Sequence, residues 1–500
     1  MRKCIPLVLL LACAVQAEVR LPSVLAEHMV LQRGIPISIW GSADPAESVS
    51  VTFRGETRTA AADELGRWSV YLPPAQAGGP FDLSIRGKNE ISFRDILVGD
   101  VWIASGQSNM EFALEKANNA QAEVAAASNT KIRLFHVRNK SSVYPQTDAV
   151  ADPWIACTPA SAAKFSAVAY FFGRELQQKT GVPIGLISTS WGGTPAEAWT
   201  SMSALGSDAS LMPVFADWAS MTNDQATIDL RRAKQLREYD AARAKARAEG
   251  KPEPGYPWAP NLDFSWMPAG LYNAMIAPLT RFPIKGAIWY QGESNTGELT
   301  QQNHRPSVYH RLFETMIQDW RRAWGIGDFP FLFVQLANFN RGPNSMWPEV
   351  REAQLQTLQL ANTGMTVTID IGNATDIHPT NKQDVGHRLA LAARALGYGE
   401  QIEFSGPIYR TARPEGAGIR IWFEHATGLT AKGTEVRGFE VAGADRNFVP
   451  AEARIDGSTV VVSSGAVRSP VYVRYAWAPN PDCNLYNAAG LAASPFRSAE

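Results

Sequence analysis

Residues 101–112 read VWIASGQSNMEF. Val101 to Ala104 ends a buried-type apolar run. Five small or polar residues follow, Ser105-Gly106-Gln107-Ser108-Asn109, before apolar types resume. The pattern predicts a strand over 96–104, a tight polar turn and a helix over 110–120. A serine at such a junction lies near a helix N-terminus, whose partial positive charge favours an anion. The same position also suits an ordinary N-cap. The stretch is not the Gly-x-Ser-x-Gly turn of α/β-hydrolases. A nucleophile at Ser108 therefore needs partners from elsewhere in the chain.

Outward from this turn, residues 95–400 alternate strand and helix patterns. Strands are expected over 131–137, 184–189, 285–290, 330–337 and 365–371, with helices over 167–179 and 306–324. Such alternation implies a parallel sheet covered by helices. The charged, Ala-rich run 224–249 reads as an exposed helix inside an insertion of about 203–260, either a lid or a solvated hairpin. Residues 18–94 carry short runs rich in β-formers, punctuated by Gly, Pro and Asn, which predicts a β-sandwich. After residue 401 the pattern is again β-rich, to the end at 500.

Five hundred residues exceed one core, so several domains are expected. The formal net charge of -1 and the absence of a basic stripe argue against nucleic acid as a partner. The sequence shows neither a zinc-type Cys/His cluster nor a Gly-Lys phosphate loop, and no cofactor or metal is expected. Fifteen Trp suit both cores and sugar stacking. Residues 1–17 read as a signal peptide: Met1-Arg2-Lys3, an apolar run over 5–15, and small residues before a cut after Ala17. A secreted or periplasmic protein follows, without stable membrane insertion, since no later apolar run reaches about 18 residues. Leu10-Leu11-Ala12-Cys13 leaves a lipid anchor on Cys13 as an alternative. Cys157 and Cys483 are open between a disulfide and two free thiols.

Three further polar clusters also follow predicted strands: 190–195 (SWGGTP), 289–295 (WYQGESN) and 376–379 (DIHP). In open parallel sheets ligands bind beyond the carboxyl ends of strands, so one shared pocket accounts for all four. Ser108 would be the nucleophile and His378, among seven histidines, its base. Asp376 would hold the imidazole tautomer and stabilise its charged form. The N–H groups of Ser108 and Gly193 and an amide, Gln291 or Asn295, would form an oxyanion hole. Gln107, Asn109, Trp191 and Glu293 are expected to contact substrate.

The blocks GQSNM, SWGGTPAEAW, WYQGESN and DIHPTNKQDVG resemble those of the SGNH hydrolases, specifically the sialate O-acetylesterase-like carbohydrate esterases. The resemblance runs from about residue 98 to 396, and the tail VRYAWAPNPDCNLYNAAGLAASPFRS is similar to that family's ending. It implies a three-layer α/β/α flavodoxin-like domain that removes acetyl groups from sugar hydroxyls without metal or organic cofactor. It also implies Ser108 as nucleophile, His378 with Asp376 as base, and oxyanion donors at Gly193 and the Gln291 block. Two departures stand out. The family pattern is Asp-x-x-His, whereas Thr375 occupies the Asp position here and Asp376 comes two residues before His378. Asp384, Asp370 and Glu293 are alternative carboxylates. The third block offers Gln291 and Asn295 in place of Gly-x-Asn. The resemblance implies O-acetylated sialic acid as substrate; the secreted, Ala- and Arg-rich character of the chain equally suits an acetylated hemicellulose such as xylan or xyloglucan. A sialate carboxylate would call for an arginine, Arg341 or Arg351. The rival class is a non-catalytic carbohydrate-binding protein. A serine lipase or peptidase is a weaker fit, since no large apolar face adjoins the serine.

Overall fold

The computed structural model describes residues 18–222, 225–251, 253–254, 265–297, 305–342 and 344–498. The leader expected over 1–17, with Cys13, lies outside them, as does most of 252–264 in the expected insertion.

The polar turn at 105–109 ends the strand Glu90–Gly106, which is the middle of a parallel sheet. Across the sheet the strands run Thr363–Thr366, Phe331–Val334, Gly286–Tyr290, Glu90–Gly106, Ile184–Ser190 and Asn129–His136, all parallel. A short antiparallel strand, Ile155–Cys157, closes one edge. Residues on successive positions face opposite ways, as the two-residue period of a strand requires. Val101 and Ile103 join one buried cluster with the helix Arg305–Trp324. Trp102 and Ala104 join another with the helices Ala167–Thr180 and Lys382–Ala392. Both faces are thus covered, which is why these strands read as nearly continuous apolar runs. The result is a three-layer α/β/α domain.

The central strand is longer than its apolar pattern indicated. Residues 90–98 pair antiparallel with Gly78–Arg86, and residues 97–99 pair parallel with Val30–Gln32. Positions 94 and 95, where the sequence pattern changes, therefore fall inside one continuous strand. The N-terminal region has a second sheet, Ile37–Ser42 with Arg67–Leu72, and Trp40, Val49, Val51, Trp68 and Val70 share one core. After residue 401 come two four-stranded antiparallel sheets. The buried guanidinium of Arg351 holds the chain's tail against the central domain: it donates to the carbonyls of Leu336 (2.8 Å), Ala337 (2.9 Å), Ala478 (2.8 Å) and Pro479 (2.9 Å).

The charged run of the insertion forms the helix Gln225–Ala248. The helix expected over 110–120 is broken instead into Ser108–Glu111, a 3-10 turn Leu114–Lys116, and Ala120–Ala125. The cause is tertiary. Leu114 N–H donates to Phe165 O (3.0 Å), Glu115 N–H to Ala163 O (2.9 Å), and Phe112 O accepts from Ala167 N–H (2.8 Å). These bonds take the backbone groups that a continuous helix would use. Cys157 and Cys483 are both free thiols. Among the described residues no helix is long and apolar enough to cross a membrane, and no group of three or more His, Cys, Asp or Glu is placed to hold a metal ion.

Candidate active site

The register of the sheet aligns three strand ends. Gly106 pairs with Ser190 on one side and Tyr290 on the other. The segments beginning at Gln107, Trp191 and Gln291 therefore emerge side by side at one height. Sheet strands later in sequence than Glu90–Gly106 lie on both sides of it, so this is where the strand order reverses and a crevice opens. Gly106 itself sits at φ +136°, and a Cβ there would lie 2.2 Å from Tyr290 O, so only glycine lets the neighbouring strands approach so closely. Gln107 N–H donates to Tyr290 O (3.0 Å) and Trp191 N–H to Gly106 O (3.1 Å), extending the ladder into the loops.

Ser108 opens a one-turn helix, and its Oγ lies 2.8 Å from His378 Nε2. The two residues are 270 positions apart in sequence, so this contact depends on the whole sheet. Burial pushes the His378 imidazole below its ordinary value, and the positive charges of Lys382 and Lys116 push the same way against Asp376. A depressed pKa keeps the ring neutral, the form that accepts a hydroxyl proton.

Asp376 is close but does not hold the ring as expected. Its Oδ1 accepts the backbone N–H of His378 (2.8 Å) and stands 3.8 Å from His378 Nδ1, beyond hydrogen-bond range. One residue fewer than in Asp-x-x-His turns the carboxylate onto the backbone instead. The alternative carboxylates are engaged elsewhere: Asp370 with Arg388 (2.7 and 2.9 Å), Asp384 with Asn381 (2.8 Å), and Glu293 with Asn109 (2.6 Å). His387 is exposed and pairs with Glu175 (2.7 Å).

The amides of the third block face inward. Gln291 is fully buried, and its Nε2 donates to Asn295 Oδ1 (2.7 Å) and Thr194 O (3.2 Å), while Oε1 accepts from Tyr309 (3.0 Å). Asn295 is also fully buried: Oδ1 accepts Ala196 N–H (2.9 Å) and Nδ2 donates to Glu197 (2.8 Å). With both N–H groups of Gln291 committed, these amides brace the glycine loop, and their expected role as oxyanion donors does not fit this geometry. Asn109 and Glu293, expected to touch substrate, are likewise buried and bonded to each other. Gln107 Oε1 accepts from Gly292 N–H (3.4 Å) and Ser294 N–H (3.2 Å); its Nε2 has no protein partner among the described residues. Trp191 is half-buried at the mouth of the loop. Arg351, a candidate for a sialate carboxylate, is spent on four backbone carbonyls, two in the central domain and two in the tail.

The glycine loop is held from both sides. Gly192 N–H donates to Glu111 Oε2 (2.7 Å), and Trp266 Nε1 donates to Gly193 O (2.7 Å). The peptide between these two anchors carries the Gly193 N–H. Gly192 packs so near Ser108 that a Cβ there would lie 3.3 Å from Ser108 Cβ. Glu111 and Trp266 were not singled out from sequence. Glu111 had a usable signal, one helical turn after Ser108; Trp266, 73 residues from Gly193, had none.

The sheet, its crevice and the Ser–His pair together define an SGNH-type hydrolase domain. The family model described as "Carbohydrate esterase, sialic acid-specific acetylesterase" matches residues 98–211 and 258–395. The sialate O-acetylesterase of Mus musculus is 29% identical over 95% of this chain and 93% of its own length. That of Homo sapiens is 31% identical over 78% of this chain and 73% of its own. The crystal structure of a carbohydrate acetylesterase from Xanthomonas citri matches with a TM-score of 0.82 and 42% identity, covering 96% of this chain and 99% of that one. The chain belongs to the sialic acid-specific acetylesterase family of carbohydrate esterases, and it is an acetylesterase hydrolase.

Proposed function

We propose that this protein is a secreted serine esterase that removes acetyl groups from sugar hydroxyls through an acetyl-enzyme on Ser108. The observation that carries the reading is the 2.8 Å separation of Ser108 Oγ and His378 Nε2 at the carboxyl end of the central strand. His378 takes the hydroxyl proton as Ser108 attacks the acetyl carbonyl, then returns it to the leaving sugar oxygen. Water, deprotonated by the same imidazole, releases acetate. The tetrahedral oxyanion is received by the backbone N–H groups of Ser108 and Gly193, with Gln107 Nε2 as a side-chain donor. A pure carbohydrate binder has no use for a hydroxyl and a depressed imidazole in contact.

Replacing Ser108 by Ala tests this. Release of 4-nitrophenol from its acetate ester should vanish while the protein stays folded, and unchanged turnover would end the proposal. The sugar is addressed by acetate release from O-acetylated sialic acid, acetyl-xylan and acetyl-xyloglucan. With Arg351 turned inward, recognition of a sialate carboxylate would fall to the other candidate, the exposed Arg341.

A further inference from the structure

Asp376 does not bond the imidazole ring, so something else must fix His378 against Ser108. The loop that carries it is tied to the nucleophile's own helix. Asn109, next to Ser108, donates from Nδ2 to Ile377 O (3.0 Å) and to Glu293 Oε1 (2.6 Å). Its Oδ1 accepts from Lys382 Nζ (2.5 Å). Every hydrogen-bonding arm of that amide which faces the loop is thus defined by its neighbours.

Lys382 is an expensive choice for its position. It is fully buried, and it opens a helix, where the dipole disfavours a cation. Its ammonium sits 4.8 Å from the Phe112 ring centroid and 5.3 Å from that of Tyr290, with Asn109 as its hydrogen-bond acceptor. A residue that violates two local preferences at once, beside reacting groups, calls for a functional reason. The lysine ammonium has only donors. Facing it, the Asn109 amide must present oxygen, which leaves both N–H bonds for Glu293 and the Ile377 carbonyl. Were the amide reversed, nitrogen would face ammonium and the carbonyl of Ile377 would lose its donor.

Resting on the serine-esterase reading above, we infer that Lys382 is a positioning residue: its ammonium locks the orientation of Asn109, which in turn holds the His378 loop in register with Ser108. The charged and titratable groups around this unit are Glu293 and Asp376 facing Lys382, with Asp376, Lys116 and Lys382 itself acting on His378. Burial pulls the Lys382 ammonium down to about 7, with Glu293 and Asp376 opposing. It is therefore charged through the acid limb of His378, and its removal should let the imidazole pKa rise.

The test uses the full chain and 4-nitrophenyl acetate. Lys382→Met keeps the length of the stem and its seat between the two rings. It should lower kcat by about tenfold to a hundredfold, as misplacement of a reacting group does, with KM within about twofold of wild type. Its acid limb should move to higher pH. Asn109→Ala should lower kcat to a similar degree, and the double variant should be no worse than the more damaged single one, as expected for groups acting as a unit. Should Lys382→Met fail to fold, Asn109→Ala still decides, through the same split between kcat and KM. Lys382→Met with kcat within about twofold of wild type, or losses that simply add with no shift of the acid limb, would overturn the inference. Ser108→Ala run alongside separates the two ideas: residual turnover there removes the serine mechanism, whereas an inactive Ser108→Ala beside a fully active Lys382→Met removes only the role of Lys382.

Discussion

Asp376→Asn is the perturbation whose size the geometry fixes best. The substitution removes a negative charge 3.8 Å from His378 Nδ1 and keeps an oxygen able to accept the His378 backbone N–H. At that distance two unit charges interact by about 1 kcal/mol in water and about 4 kcal/mol at an effective dielectric of about 20. The Asp376 side chain is 55% exposed and that of His378 38%, which places the pair toward the watery end. A loss of about 1–2 kcal/mol in stabilising the imidazolium follows, or a fall in kcat/KM of about five- to thirtyfold. A carboxylate truly bonded to the ring would be worth about ten-thousandfold in comparable triads. The assay is kcat/KM for 4-nitrophenyl acetate across pH. Because Asp376 raises the imidazole pKa, its neutralisation should also move the acid limb to lower pH. A loss beyond about a thousandfold would refute the reasoning and restore Asp376 as the direct partner of the ring.

Three further outcomes are expected. The wild-type acid limb should lie below the ordinary imidazole value of about 6.5, because burial favours neutral His378 and activity is lost only as pH falls through the lowered pKa; a kcat/KM profile with a limb above about 7 would disagree. Gly192→Ala would bring a Cβ to 2.9 Å from Glu111 Oε2 and 3.3 Å from Ser108 Cβ, so turnover should drop about tenfold or more with little change in thermal melting. Gln291→Met takes the side-chain donor from the buried Thr194 carbonyl and leaves Asn295 Oδ1 with Ala196 N–H alone and the Tyr309 hydroxyl with the Gln291 carbonyl alone, the orphaned carbonyl costing about 1–3 kcal/mol; the melting temperature should fall by a few degrees, whereas lost turnover at unchanged stability would make Gln291 an oxyanion donor after all.

The polar clusters at 105–109, 190–195, 289–295 and 376–379 were legible because strand ends in a parallel sheet share one rim, and chemistry-bearing residues there have few structural competitors. The three layers were legible from apolar runs spaced by helical stretches. What stayed hidden depends on direction. Residue type cannot tell whether the amides of Gln291, Asn295 and Asn109 point to solvent or inward; here they brace the loops that carry Gly193 and His378. The break after Glu111 was invisible because the bonds that cause it come from Ala163, Phe165 and Ala167. The N-terminal half of the strand Glu90–Gly106 alternates in burial, so its continuity with the apolar half could not be read from hydrophobicity. Residue type alone does not separate Lys382 from an ordinary helix-opening lysine; its burial does.

The central claim, that Ser108 is the activated nucleophile, is tested most directly by labelling with a fluorophosphonate and mapping the adduct by peptide mass spectrometry. The account predicts a single phosphonyl group on Ser108 that matches the loss of activity and fails to form at an appreciable rate in His378→Ala. Full inactivation with Ser108 unmodified and the adduct on another residue would contradict it.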